Sequence, residues 1–293
     1  ASSYFADCFE SPMDSLSELE RRFLVERHLA SPEFTEGGAG RYILVSQEDV
    51  LAAMINEEDH LRVQSLLAGF QPLEAWRILE RLDEELSAGL SFAFSDKLGY
   101  LTACPTNVGT GMRASVMMHL PALVITKEAG KVLQALGKLG LAVRGLFGEG
   151  SSPLGNFFQI SNQVTLGLDE VSIVENIERI AREIMQHERH TRELLWSSKS
   201  VQLEDRIYRA FGLLRNSRLL SSEEALSLLS NLRLGLDLGL VGGVDRATLN
   251  KVFVGIQPAH LQLAAGAELP PAERDVRRAE YVRAALAGAA PES

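Results

Sequence analysis

Residues 42–67 read YILVSQEDVLAAMINEEDHLRVQSLL, and this stretch decides the fold class. Its three apolar runs, at 42–45, 50–55 and 61–67, are short and are separated by polar turns. Runs of this length, bounded by turn residues, are typical of consecutive β-strands. We therefore expect a largely antiparallel sheet in this part of the chain.

Segments with helical spacing flank these strands on both sides. Residues 14–30 are predicted to form a helix that Ser15 caps, with Glu18 completing a capping box three residues later. A second helix is expected over 72–88, where leucines recur on one face. Further elements are expected as strands at 114–120, 141–147 and 164–166 and a helix at about 126–138. Because strands and helices alternate without a regular βαβ repeat, the pattern predicts an α+β fold, a largely antiparallel sheet flanked by helices.

The chain from residue 169 onward is expected to be helical. A long helix begins there and ends near Trp196, and residues 201–293 contain no convincing strand. Shorter helices are expected at 203–214, 225–232, 248–254 and 273–286. The sequence therefore predicts two domains, an α+β domain at 1–200 and a small all-α C-terminal domain at 201–293.

Composition excludes several classes of protein. The 293 residues are 46% hydrophobic, enough for a substantial core, and carry a net charge of −10. An acidic chain is not expected to bind nucleic acid, although it can attract basic proteins. The two cysteines, Cys8 and Cys104, are far apart and predict neither a disulfide framework nor a metal cluster. With no apolar run long enough to span a membrane and no signal-peptide pattern, we expect a cytoplasmic protein.

The common nucleotide-binding motifs are missing from the sequence. We find no GxxxxGK[ST], no strand-linked GxGxxG, no HRD/DFG pair and no HExxH. If the chain binds phosphate, arginine side chains must do so.

Three segments carry residues suited to that chemistry: Asn56–Arg62 (NEEDHLR), Cys104–Ser115 (CPTNVGTGMRAS) and Val143–Ser151 (VRGLFGEGS). The first is either a functional acidic loop or a solvated turn. The second is either an anion-binding loop or a flexible connection. The third is either a mobile substrate-gripping loop or a plain hairpin.

Together the three segments form a coherent candidate site. Arg62, Arg113 and Arg144 can neutralise a triphosphate. Two carboxylates, Glu58 and Glu149, match the fork of a planar guanidinium.

These segments resemble the three signature segments of the phosphagen (guanidino) kinase catalytic domain, in the same order and spacing. The sequence RGLFGEGSSPLGNFFQISNQVTLG at 144–167 is similar to the bacterial protein arginine kinase (McsB-type) branch. The helical extension from about residue 201, with ERDVRR at 273–278, is similar to the same branch. The resemblance covers the chain from about Leu16 to Leu286.

The resemblance implies an activity and roles for individual residues. ATP and Mg²⁺ are the expected cofactors, and the γ-phosphoryl group is transferred to protein arginine. Glu58 orients the guanidinium and takes its proton, while Glu149 holds the other edge. Glu57 helps to place the Mg²⁺ shell without binding the metal directly, and Cys104 lies beside the guanidinium. The expected nucleotide contacts are Arg62, Arg113, Arg144 and Asn107.

The C-terminal domain is expected to bind phosphoarginine. Arg274 and Arg278 are i,i+4 neighbours on one helix. Arg278 pairs with the phosphoryl group in this hypothesis, and Asp275 holds the remaining guanidinium edge. The alternative is an ordinary solvated helix face.

The resemblance also implies partners and a cellular role. Expected partners are arginine-bearing substrate proteins, among them a transcriptional repressor, a zinc-containing activator protein, a Clp protease ATPase and a second copy of the chain. The expected role is marking proteins for proteolysis in stress and quality control. The alternatives are a small-molecule arginine kinase and a non-catalytic phosphoarginine-binding fragment.

Two departures from the family pattern bear on these expectations. The S-S-R-x-R-x-x-R-N segment that normally opens the catalytic domain is absent, so we expect a truncated or naturally short form whose independent activity is open. Met117 stands where small-molecule relatives tend to have a histidine near the adenine. His60 and His119 are expected to be structural rather than catalytic.

Overall fold

The computed structural model describes residues 3–145 and 154–291. It confirms the α+β fold, with antiparallel strands and helices in both halves of the chain. The strands are β1 Phe9–Pro12, β2 Tyr42–Val45, β3 Leu51–Ile55, β4 Leu61–Ser65, β5 Phe94–Ser95, β6 Gly99–Tyr100, β7 Ser115–His119, β8 Leu141–Arg144, β9 Phe157–Asn162, β10 Val241–Gly242 and β11 Ala290–Pro291. The helices are α1 Glu18–Glu26, α2 Pro32–Thr35, α3 Pro72–Ser87, α4 Pro121–Ile125, α5 Ala129–Lys138, α6 Glu170–Asn216, α7 Ser222–Asp237, α8 Arg246–Gly255, α9 Pro258–Ala265 and α10 Pro271–Ala285.

The first sheet contains the stretch that predicted the fold. Its four strands lie in the order β1-β2-β3-β4, and every neighbouring pair is antiparallel. In β2, Ile43 and Val45 are buried while Tyr42 is exposed, the alternation expected of a sheet with one covered face. Ile43 lies opposite Met54 of β3, and both pack with Phe34 in a common core. The predicted strands are confirmed here.

The first long helix begins later than the sequence predicted. Ser17 caps α1 and Glu20 closes the capping box, so the predicted cap at Ser15 with Glu18 was wrong. Ser15 instead ends a short 3-10 turn, Met13–Ser15, in which its hydroxyl donates to the carbonyl of Pro12. Ser15 with Glu18 and Ser17 with Glu20 both match the capping-box pattern, so the sequence does not distinguish them. The local backbone geometry makes Ser17 the cap.

A second sheet has the strand order β7-β9-β8. Its middle strand is Phe157–Asn162, so the strand expected at 164–166 was placed too late. The helix expected at about 126–138 is confirmed as α5, which begins at Ala129 after a turn at Lys127, whose φ is +63°, whereas the short helix α4 before it was missed. The predicted helix at 72–88 is confirmed as α3.

The chain divides into two compact units. The first comprises residues 1–116, 134–143 and 159–183, and the second comprises 117–133, 144–158 and 184–293. The core of the second unit is formed by apolar residues of α7, α8 and α10 together with Ala122 and Phe157. Residues that precede the C-terminal helices therefore share one core with them.

The helices of the C-terminal part largely match their prediction. Helices α7, α8 and α10 confirm three of the expected elements, whereas α9 was missed. Helix α6 is interrupted by a kink at Lys199, whose backbone is non-helical, so the helix expected to end near Trp196 and the separate helix expected at 203–214 are both present. Contrary to expectation, the part beyond residue 200 contains a two-residue strand pair, β10 with β11. No helix among the described residues is long and apolar enough to cross a membrane.

Candidate active site

The acidic segment forms a tight loop between β3 and β4. Asn56 adopts a left-handed conformation with φ +59°, and its backbone N–H donates to the carbonyl of His60 at 2.8 Å. Its side-chain amide donates to the carbonyl of Gly40 at 2.7 Å. Asparagine tolerates the left-handed region better than most residues, so it suits the start of this turn. The turn presents three consecutive acids, Glu57, Glu58 and Asp59, at one end of the sheet.

Glu57 is the best anchored of the three acids. Its Oε1 accepts from Ser31 Oγ and from Arg62 Nη1, both at 2.9 Å, and its Oε2 accepts from the backbone N–H of Glu58 at 2.7 Å. Burial opposes ionisation of this carboxyl, but the Glu58 N–H, the charge of Arg62 and the Ser31 hydroxyl outweigh it and lower the pKa of Glu57. Glu57 is therefore an anion that orients Arg62.

Glu58 is exposed, and Asp59 ties its loop to a second one. The Oδ1 atom of Asp59 accepts from the backbone N–H of Ala103 at 2.6 Å. Ala103 directly precedes Cys104, so the acidic loop and the start of the 104–115 segment are joined. No role was predicted for Asp59, whose only signal in the sequence is its place in the run of three acids.

Segment 104–115 begins with a 3-10 turn, Pro105–Asn107. Cys104 Sγ lies 2.9 Å from Thr106 Oγ1. Gly109 has φ +113°, and a Cβ there would lie 2.2 Å from the carbonyl oxygen of Thr165. Only glycine therefore fits this position. Tyr100 and Gly109 exchange two backbone hydrogen bonds at 2.8 and 3.2 Å, which fixes the loop to β6.

Arg113 lies in the same segment, two residues before β7, and is exposed. The side chain of Asn162 bonds to the backbone on both sides of it. Its amide donates to the carbonyl of Met112 at 3.0 Å, and its Oδ1 accepts from the N–H of Ala114 at 2.8 Å. Asn162 was not predicted to be a site residue, because a single asparagine after an apolar run does not indicate this contact.

The structure brings some of the predicted site residues together and leaves others untested. Glu57, Glu58, Arg62, Cys104, Asn107 and Arg113 all belong to the first compact unit. Arg144 is the last residue of β8 and is half-buried. Glu149 lies outside the described residues. The roles of these side chains in binding and catalysis stay predictions.

His119 is part of a buried polar cluster in the second unit. Its Nε2 lies 2.8 Å from Ser230 Oγ, which also accepts from the Asn156 side-chain amide at 2.7 Å. Burial and the nearby charges of Arg233 and Arg192 hold the pKa of His119 well below its ordinary value. A neutral, hydrogen-bonded histidine fits the expected structural role.

The C-terminal RDxxR motif lies on α10. Arg278 is 1% exposed, and its guanidinium donates to the carbonyls of Ile256 at 2.9 Å and Leu220 at 2.7 Å and to Asp275 Oδ1 at 2.5 Å. Arg274 and Asp275 are partly exposed. In this conformation Arg278 ties α10 to the residue that follows α8 and to the segment that precedes α7, and phosphoarginine binding by the three residues stays a prediction.

Comparison with known families accounts for most of the chain. Residues 7–191 match the ATP:guanido phosphotransferase C-terminal catalytic domain. Residues 200–293 match the protein-arginine kinase McsB C-terminal domain. The interval between the two matches contains the non-helical residue Lys199 of α6.

Relatives with curated names are similar over most of their length. A protein-arginine kinase of Moorella thermoacetica is 51% identical over 277 residues, 94% of this chain and 79% of the relative. The corresponding kinase of Symbiobacterium thermophilum is 52% identical over 92% of this chain and 76% of its own. That of Bacillus subtilis is 47% identical over 94% of this chain and 75% of its own.

Solved structures of guanidino kinases share the fold. The duplicated taurocyamine kinase of Schistosoma mansoni, with bound transition state analog components, has a TM-score of 0.59 and 27% identity over 71% of this chain and 31% of its own. Lombricine kinase has a TM-score of 0.56 and 24% identity over 64% of this chain and 56% of its own.

The family match over residues 7–191 and the fold shared with guanidino kinases define a phosphotransferase of the guanidino class. The chain belongs to the ATP:guanido phosphotransferase family and, within it, to the protein-arginine kinases. The resemblance noted in the sequence and the expectation of an enzyme that uses ATP are thereby confirmed.

Proposed function

We propose that this chain transfers the γ-phosphoryl group of ATP to arginine side chains of proteins, using the loop at Asn56–His60 as its acceptor site. One observation carries the proposal. The Asp59–Ala103 bond joins the loop that bears Glu57 and Glu58 to the segment that begins at Cys104. The proposed carboxylate base therefore lies on a loop that is connected to the segment carrying the proposed substrate-contacting thiol, and Arg62 follows the same loop at the start of β4.

The chemistry requires a proton acceptor beside the guanidinium. Arginine is protonated, with a pKa above about 12, and its nitrogen is a poor nucleophile until a proton leaves. As the N–P bond forms and the bond from the γ-phosphorus to the ADP oxygen breaks, the proton passes to the Glu58 carboxylate. Exposed Glu58 can reach a bulky protein substrate, which a buried carboxylate cannot.

The remaining residues bind and orient. Arg62, which Glu57 holds by a 2.9 Å bond, and Arg113 offer guanidinium groups to the triphosphate oxygens, as Arg144 and Asn107 do in the same hypothesis. Cys104 and Glu149 are proposed to contact the substrate guanidinium.

The residues present fit a nucleotide with its metal. Arg62 is half exposed beside an ionised Glu57, so a cationic group faces solvent where phosphate oxygens can meet it. Mg²⁺, when bound with ATP, supplies further positive charge at the phosphate oxygens. Glu57 is proposed to bind water of its hydration shell, since Mg²⁺ usually keeps several waters.

The same proposal includes partners and location. The match of residues 200–293 to the protein-arginine kinase C-terminal domain supports arginine-bearing protein substrates. By family resemblance we further expect a transcriptional repressor among them, a zinc-containing activator, a Clp protease ATPase and a second copy of the chain. A cytoplasmic location, expected from the sequence, is in keeping with the free thiols of Cys8 and Cys104.

Phosphoarginine is still proposed to bind to α10, but the residues have different roles from those expected from the sequence. The exposed parts of Arg274 and Asp275 would meet the ligand first, because the guanidinium of Arg278 is already bonded to two backbone carbonyls. Calorimetry with free phosphoarginine on the full chain tests this proposal, with Arg274→Ala as the variant and plain arginine as the control ligand. Equal heats for the two ligands would remove it.

Phosphoryl transfer to a disordered arginine-bearing protein such as casein tests the main proposal. We expect ATP to be consumed with casein and not with free arginine, and Glu58→Gln to lower the rate by about 10²–10⁴ because the general base is lost. Glu48→Gln, an exposed acid in the turn between β2 and β3, is the matched control. Activity of Glu58→Gln within about threefold of the parent would reject the assigned base, given that range.

A further inference from the structure

We propose that Asn162 and Thr165 are positioning residues for the reaction, each responsible for one half of segment 104–115. The inference rests on the proposed function, which assigns Arg113 in one half and Asn107 in the other to the nucleotide, and Cys104 to the acceptor guanidinium. Asn162 is the last residue of β9 and Thr165 follows three residues later, both in the first compact unit.

Asn162 fixes the half that carries Arg113. The side chain is 7% exposed, and its amide group donates to the carbonyls of Met112 at 3.0 Å and Val164 at 3.1 Å. Its Oδ1 accepts from the N–H of Ala114 at 2.8 Å. Both amide protons are thus used, and the backbone on each side of Arg113 is held by one rigid group.

Thr165 fixes the half that carries Cys104. It is 8% exposed, and its hydroxyl lies 3.0 Å from the carbonyl of Thr106 and 2.8 Å from that of Val108. Its own carbonyl accepts from the N–H of Thr110 at 2.9 Å. Gly109 passes so close to this carbonyl that a Cβ there would lie 2.2 Å from its oxygen, so only glycine fits at this position.

The loop depends on this support because it has little structure of its own. Between Cys104 and Ser115 its regular structure is one 3-10 turn of three residues. A loop without its own hydrogen-bond ladder samples many conformations unless other groups order it. A reaction slows when a catalytic side chain is displaced by about 1 Å. The groups that hold the backbone in place therefore affect the reaction rate.

The two contacts predict separable kinetic effects. Asn162→Asp keeps the shape but removes both amide donors and points a carboxylate oxygen at the carbonyls of Met112 or Val164. We expect the KM for ATP to rise about tenfold or more, while the KM for casein changes less than about twofold. Thr165→Val also keeps the shape and removes the hydroxyl that holds the backbone on both sides of Asn107, close to Cys104. There we expect the KM for casein and the KM for ATP to rise together.

Steady-state kinetics on the full chain test the proposal, with Asn162→Ala as a second variant that introduces no charge. Gln163→Ala, an exposed side chain between the two residues, is the matched control and should match the parent. Partial unfolding lowers the amount of active enzyme, and hence the apparent kcat, without changing either KM. A change in KM therefore reports a loss of positioning and not a loss of stability.

Arg113→Lys, measured in parallel, separates this proposal from the one on which it rests. If Arg113→Lys leaves the KM for ATP unchanged, the phosphate-binding role of Arg113 fails. If Arg113→Lys raises that KM but Asn162→Asp and Asn162→Ala do not, the positioning role of Asn162 is overturned. If Asn162→Ala raises the KM for casein as much as Thr165→Val does, or if Thr165→Val leaves the KM for casein unchanged, the division into halves is overturned.

Discussion

The Oδ1 atom of Asp59 accepts a hydrogen bond from the backbone N–H of Ala103 at 2.6 Å. This bond connects the acidic loop Asn56–His60 to the start of segment 104–115. The bond connects residues 44 positions apart in sequence, so no local interaction can replace it.

Asp59→Ala should therefore impair catalysis more than it impairs folding. We expect kcat/KM for casein to fall by about tenfold or more, because the two loops lose their connection, while the unfolding midpoint changes little. Glu48→Ala, at an exposed turn of the same sheet, should leave both quantities unchanged. An Asp59→Ala enzyme with parental kinetics would mean that the loops are held by other contacts.

Glu57 should make stability depend on acid pH. Its pKa is lowered in the folded chain, so its contribution is fully present above the unfolded value of about 4.3 and is lost as the pH falls through the folded value. Urea unfolding of the parent and Glu57→Gln should thus differ most near neutrality and converge toward pH 3. A difference that stays constant over this range would contradict the assigned charge.

Ser230 should stabilise the second unit through its two partners. Ser230→Ala leaves His119 Nε2 and the Asn156 amide without their bond to a fully buried hydroxyl, at a cost of about 1–3 kcal/mol. Ser227→Ala changes an exposed serine on the same helix, α7, and serves as the control. Urea denaturation measures both, and equal stabilities of the two variants would show that the buried cluster contributes nothing.

His119 should destabilise the folded chain when the pH falls below neutrality. Burial, Arg233 and Arg192 lower the pKa of this histidine, so the unfolded chain binds a proton more readily than the folded one. Its contribution is present above the unfolded pKa of about 6.5 and is lost as the pH decreases from there. His119→Gln should flatten the pH profile of stability between about pH 7 and 5. His190→Gln, an exposed histidine of α6, should keep the parental slope.

Short-range patterns in the sequence were sufficient for many of the elements. The strand Tyr42–Val45 and the helix Pro72–Ser87 were predicted almost to the residue, because their apolar periodicity and flanking turns are local signals. The errors arose where two local signals competed. The capping box at Ser17 rather than Ser15, and the strand at Phe157–Asn162 rather than 164–166, depend on packing that periodicity does not encode.

What the sequence determined by itself was the class of fold and the identity of the candidate residues, because each is written in a contiguous motif such as NEEDHLR or CPTNVGTGMRAS. The tertiary structure alone decided which groups hold those residues. Asn162 brackets Arg113 from about 50 residues away, and Arg278 is buried against the carbonyls of Leu220 and Ile256 instead of lying open on a helix face. Hydrogen bonds across such separations depend on how the chain packs, and packing satisfies buried polar groups in ways that neighbouring residues in the sequence do not reveal.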